Sequence, residues 1–96
     1  MSASGKGEVK AAIEGKLSAT LAPTRLVVVD DSARHAGHGG HRPGGESHFR
    51  VDVESALFRG KSRIERHRLI HGILADELNG PVHALEIVAK APDEER

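Results

Sequence analysis

The chain predicts a single small α/β domain of the α+β kind, with element order α-β-β-α-β and a three-stranded mixed sheet covered on one face by helices. Three observations predict it: an apolar residue at every fourth position ahead of a proline, two short β-branched runs separated by a glycine-rich stretch, and a second helical pattern between the second and third strand patterns. At 96 residues there is room for one modest core and none for an enclosed substrate chamber besides.

Residues 1–7 are small and polar and read as a flexible, frayed end. From Glu8 to Leu21, the residues Val9, Ile13, Leu17 and Leu21 recur every fourth position with Ala12 alongside, one face of an amphipathic helix that Pro23 stops. Arg25 to Asp31 contains the run Leu26 to Val29, whose β-branched character predicts a strand buried on both faces or nearly so. Residues 32–46 hold five glycines, one proline and three histidines and form a loop. A loop of that length in a compact domain is functional or disordered. From His48 to Glu54 the pattern alternates, with Phe49, Val51 and Val53 inward and His48, Arg50, Asp52 and Glu54 outward. Ser62 and Glu65 match a capping box. The helix they open carries Ile64, Ile70, Ile73, Leu74 and Leu78 on its apolar side and ends at Asn79, Gly80 and Pro81. Val82 to Ala89 is the third strand; the domain spans 8–92 and residues 93–96 are a polar tail.

The first two strands, joined by the loop, are expected to be antiparallel, and the second and third, separated by a helix, parallel with a right-handed crossover. Strands two and three then start at the end of the sheet where the loop sits, which brings His35, His38 and His41 near His83. His48 is expected on the open face, and His83, sharing parity with Leu85 and Ile87, at the rim of the helix-covered side.

Composition narrows the function classes. Two per cent aromatic residues leave the core to Leu, Ile and Val. Fourteen basic and 14 acidic residues cancel, so no global field draws the chain to nucleic acid or an anionic membrane, while seven histidines make its charge vary near neutral pH. The absence of cysteine excludes disulfides, a cysteine nucleophile and a self-contained thiolate site. No apolar run reaches the roughly 18 residues of a membrane span, and the first residues lack a signal-peptide core, so a cytoplasmic protein without membrane contact is expected.

The leading chemical constellation is His35, His38 and His41 with His83. Imidazole binds iron, copper and zinc, and glycines let a loop bend its ligands around a metal. The competing account is a solvated histidine-rich loop. His67 and His71, four apart on a helix, share a face, although no Glu follows His67 in a metalloprotease pattern, and a solvated helix face explains them better. Arg59, Lys61, Arg63, Arg66 and Arg68 place five cations in ten residues, which suits either phosphate binding or a solvent-facing helix surface. The stretch Gly60 to Ser62 ends like a phosphate-binding loop but has Ser55 where the first glycine belongs, and Gly60 to Arg63 is one glycine short of a KH loop. No serine, histidine and aspartate are set out as nucleophile, base and orienter, and an enzyme is not expected.

Several segments in order resemble the BolA family: Val29 to Ser32, Arg34 to His38, Gly45 to Phe49, Phe58 to Ser62, Glu65 to Leu69, Leu74 to Leu78 and Gly80 to Leu85. The resemblance runs from about Glu8 to Pro92. It implies a KH-like fold of class II and partnership with a monothiol glutaredoxin, the two proteins sharing a [2Fe–2S] cluster. In that pairing glutaredoxin and glutathione supply thiolates and the BolA protein supplies histidine. The family's histidine in its Pro-Val-His-Ala-Leu stretch maps to His83. Its second ligand lies in the loop, where His35 and His38 both fit and His41 is a further candidate; the flanking Gly37 and Gly39 favour His38. A cysteine-free chain cannot hold such a cluster alone, since thiolates are the usual ligands. Imidazole ligation would raise its reduction potential and make it pH-sensitive. The expectation is an adapter in iron–sulfur cluster trafficking or iron and redox regulation, with no cofactor when isolated and a monomer or weak homodimer on its own. The alternative is a DNA-binding transcriptional regulator using the KH-like fold and Arg59, Lys61, Arg63, Arg66 and Arg68. A third reading, a zinc or copper buffer built on the histidine loop, needs no partner.

Overall fold

A computed structural model describes residues 7–31 and 47–94. The frayed end expected over the first residues and the glycine-rich loop of 32–46, with His35, His38 and His41, fall outside the described residues. The elements are α1 (Glu8–Leu21), β1 (Arg25–Asp30), β2 (His48–Glu54), a 3-10 turn (Ala56–Phe58), α2 (Arg63–Ile73), α3 (Ala75–Leu78) and β3 (Ala84–Lys90). The sheet order is β1-β2-β3, with β1 antiparallel and β3 parallel to the central β2. The predicted α-β-β-α-β order and mixed sheet are what the chain forms, with its second helix divided in two.

The spacing in α1 does what a four-residue period does: Ile13, Leu17 and Leu21 are buried in one stripe, and Val9 packs against the core. Ala22 takes a left-handed φ of 45°, and its N–H donates to the Ser18 carbonyl, closing the helix just before Pro23. Ser55, fully buried at the far end of β2, donates to the Leu21 carbonyl at 2.7 Å and accepts from the Leu57 N–H at 3.1 Å. One hydroxyl thus ties the end of α1 to β2 and to the 3-10 turn. Along β2, Phe49, Val51 and Val53 are buried as the alternation predicts.

Three expectations need correction. The run Leu26 to Val29 does not bury both faces, because Val27 and Val29 are each 40% exposed and only Val28 is buried. The helices lie on one side of the sheet, so alternate β1 residues meet solvent, and the β-branching reflects strand preference more than burial. In α2, Ile64 faces solvent at 62% exposure, and Arg66 takes the inward place with Ile70 and Leu74. The buried stripe runs at intervals of four from Arg66, and Ile64 lies about 200° around the helix from that residue. β3 starts at Ala84 rather than Val82. The Val82 N–H goes instead to the Glu77 carbonyl at 2.9 Å, and the buried Val82 side chain closes the turn out of α3.

The capping box is as predicted: the Ser62 hydroxyl accepts from the Glu65 N–H at 3.1 Å, and the Ser62 N–H donates to Glu65 Oε1 at 2.7 Å. The segment from Pro92 also contributes to the fold, through Asp93 and Glu94. No helix of the described residues is long and apolar enough to cross a membrane.

Candidate functional site

Because β2 and β3 are parallel, both begin at the same end of the sheet, and Ser47 joins them there. Its carbonyl accepts from the N–H groups of His83 at 2.7 Å and Ala84 at 3.2 Å. The Ser47 side chain is fully buried, and its hydroxyl lies 2.9 Å from His48 Nδ1. The Asp31 N–H donates to the His48 carbonyl at 2.7 Å, so the chain leaves β1 for the loop of 32–46, and returns from it, at this same end. His83 is exposed, and its ring stacks near that of the half-buried His48, with centroids 6.3 Å apart and planes inclined by 30°. Beside them Asp31, His48, Phe49, Ala84, Leu85 and Glu86 line a depression of about 210 Å³.

This geometry corrects the expectation that His48 and His83 diverge to opposite sides. His83 precedes β3 by one residue and is not bound by the alternation of the strand. Its N–H shares the Ser47 carbonyl with Ala84, so the backbone turns there instead of continuing the pleat. His48 and Ser47 are the members of the site that parity reasoning missed. The available signal was their place in the segment Gly45 to Phe49, immediately after the loop. The structure places His83 at the mouth of the loop; His35, His38 and His41 lie outside the described residues. Among the described residues no group of three or more His, Cys, Asp or Glu is placed to hold a metal ion.

The basic stretch does not form one surface. Arg66 is 9% exposed and sits 5.8 Å over the Phe58 ring. Its Nε donates to the Lys61 carbonyl at 2.9 Å, its Nη1 to the Ala89 carbonyl at 3.1 Å, and both Nη atoms grip Glu94, at 2.6 and 2.7 Å. Held by this fork and by the Ala91 N–H, the Glu94 carboxyl is pulled down to a pKa of about 2. Arg59 pairs with Asp93 at 2.9 Å. Neither account of the stretch, the solvent-facing surface or the alternative of phosphate binding, holds for Arg66, which is buried and structural, while Lys61, Arg63 and Arg68 are exposed. His67 and His71 share a shallow groove with Arg63, Ile64 and Arg68. Partial burial, reinforced by the charges of Arg63 and His71, lowers the His67 pKa.

The family of BolA-like proteins matches residues 17–94, most of the chain and the whole of the sheet. The chain belongs to the BolA family. Human (Homo sapiens) BolA-like protein 1 is 50% identical to it over 86 residues, covering 90% of this chain and 60% of that protein. The chain thus spans about three fifths of the length of that BolA relative. Among solved structures, BolA1 from Arabidopsis thaliana superposes with a TM-score of 0.81 at 36% identity, covering 93% of this chain and 98% of that one. The BolA domain of SufE1 from the same plant gives 0.80 at 45% identity, covering 97% and 100%. The BolA fold therefore includes both strand starts described above, and His83 lies in the Gly80 to Leu85 segment, one of those that carry the resemblance to the family.

Proposed function

We propose that this BolA-family domain is an adapter, not a catalyst, that pairs with a monothiol glutaredoxin and lends imidazole to a shared [2Fe–2S] cluster, in iron–sulfur cluster trafficking or iron and redox regulation. The observation that carries the reading is the exposed His83 beside His48 at the mouth of a loop with three more histidines, in a chain without cysteine. The donor set fits a share in a cluster: imidazole can ligate iron, but with no thiolate of its own the chain cannot complete the coordination. His83 and one loop histidine, His38 or His35, would hold the iron, and the remaining ligands would come from the glutaredoxin cysteine and glutathione. When bound, such a cluster would supply electron storage at a potential raised by imidazole. The residues of this chain orient its ligands. Ser47 fixes the backbone of His83 through its carbonyl and the ring of His48 through its hydroxyl, and His48 packs beside the His83 ring. The occurrence of a BolA domain within SufE1 supports a module that works joined to other proteins. We place the pair in a reducing compartment such as the cytoplasm, where the partner thiol stays available.

The test is to mix the protein with cluster-loaded monothiol glutaredoxin and follow visible absorption and circular dichroism. His83→Ala is expected to leave stability within about 0.5 kcal/mol, as befits an exposed residue, while altering the cluster spectrum and weakening the complex. Among His35, His38 and His41, one replacement should reproduce that effect. An unchanged spectrum in both His83→Ala and the triple loop variant would end the histidine-ligand reading. Anaerobic reconstitution of this chain alone should yield no stoichiometric cluster.

A further inference from the structure

The edge of β3 and the start of α2 make a second surface, at the other end of the strand from His83. Among the described residues, β3 has a neighbouring strand on one side only. The Ala84 N–H and the Lys90 carbonyl both bond towards β2, so residues of that parity face inward along the sheet. Leu85, Ile87 and Ala89 therefore turn their N–H and C=O groups outward. Arg66, reaching the Ala89 carbonyl from outside, shows that direction directly. Beyond it, the Ala91 N–H is taken by Glu94. Among the described residues, the N–H and C=O groups of Leu85 and Ile87 and the N–H of Ala89 have no backbone partner and form a strand edge about 13 Å long.

A cleft of about 410 Å³ runs along this edge, with Ile87 to Lys90 on one wall and Lys61, Arg63 and His67 on the other. None of the residues lining it is acidic. Among the described residues, Lys61, Arg63 and Lys90 form no ion pair, and the nearby Glu94 is already gripped by Arg66. An open row of peptide donors and acceptors, beside cations that form no ion pair among the described residues, suits an extended chain whose backbone pairs with β3 and whose side chains carry carboxylates. Single-stranded nucleic acid fits less well. Of the residues lining the cleft only His67 offers a ring for a base to stack on, since Phe58 is buried beneath Arg66, and a sugar–phosphate backbone has no use for alternating amide donors and acceptors.

We infer that β3 accepts an acidic, extended peptide segment of a partner protein as a fourth strand, with Lys61, Arg63 and Lys90 binding its carboxylates. This surface is independent of the cluster reading, because the length of β3, about 20 Å, separates the cation end from His83. The experiment is a titration of the full isotope-labelled chain with a seven-residue peptide of alternating glutamate and valine, followed by amide chemical shifts and hydrogen exchange. Binding should shift the amides of Leu85, Ile87 and Ala89 and slow their exchange. The double substitution Lys61→Glu and Lys90→Glu, at exposed or half-exposed positions, should weaken binding at least about tenfold. Methylation of the peptide backbone nitrogens that face β3 keeps every charge and should weaken it by a similar factor. Equal binding of the methylated peptide would reduce the surface to an unspecific cationic patch and overturn the strand-addition proposal. Tighter binding of a ten-nucleotide thymidine strand at the same residues, or the absence of any shift along β3 at millimolar peptide, would overturn it as well.

Discussion

Arg66 and Arg68 stand two positions apart on α2, and the fold uses them differently. Arg66 is buried over Phe58 and gives its guanidinium to two carbonyls and a carboxylate, whereas Arg68 faces solvent. Arg66→Ala removes packing and a charge-assisted fork together, and urea unfolding should show a loss of roughly 2 kcal/mol; Arg68→Ala should stay within about 0.5 kcal/mol. Glu94, the partner, yields a prediction with a definite sign. Its folded pKa of about 2 lies below its ordinary 4.5, so the ion pair contributes stability fully above pH 4.5 and loses it as the pH falls towards 2. Glu94→Gln should be less stable than the parent at pH 7, and the gap should close between pH 4.5 and 2. A gap that stayed constant across that interval would show that the carboxylate's charge contributes nothing. At this scale the sequence was least informative. An arginine inside a run of cations reads as solvated, because its counter-ion lies 28 residues away and nothing local announces it. His83 was legible through the topology that sets it beside the loop and through the order of motifs around it, while the pairing of His48 with it was hidden by a parity rule that holds only from Ala84, one residue after His83.

Among the elements, α2 was the most readable at its start and the least along its length. The Ser62 and Glu65 pair is a local signature, since both partners lie within one helical turn, and the structure contains both of its hydrogen bonds. Ser62→Ala should therefore cost about 1 kcal/mol. In thermal melts of a chain this size that corresponds to a fall of about 4–8 °C, while Glu65→Gln, which preserves a capping acceptor, should cost less. The inward face of the helix was harder, because periodicity counts apolar residues and cannot register a buried guanidinium. The same limit explains β1. Three valines in succession look doubly covered until the sheet is known to carry helices on one side only. The first turn of β3 was misplaced because the buried Val82 serves the turn that follows α3 rather than the strand.

At the level of the whole molecule the topology was the most legible feature. A helix between two strands demands a parallel crossover, and a direct loop permits an antiparallel pair, so the sheet order followed from the alternation of patterns. That order puts β2 in the middle, bonded on both sides over a face where Phe49, Val51 and Val53 are buried. Hydrogen exchange should accordingly be slowest for the amides of Val51 to Val53, and the outward amides of Leu85 and Ile87 should exchange orders of magnitude faster in the absence of a ligand. If the protection were instead uniform across the three strands, the outward direction assigned to the β3 edge would be wrong. The juxtaposition of His83 with the loop anchors Asp31 and Ser47 follows from the same topology, which is why a site dispersed over some fifty residues of sequence could be anticipated in outline.

The Glu94 clasp also governs how this domain can be spliced to others. A neighbour joined after residue 94 inherits a fixed point of departure, because the carboxylate holds the last described turn against Arg66 and the Ala91 N–H. A junction made directly after Ala91 would discard the clasp, leave the guanidinium of Arg66 without its counter-ion and release the downstream end of β3. For anyone building chimaeras, the boundary of the folded unit therefore lies past Glu94, three residues beyond the last buried apolar side chain.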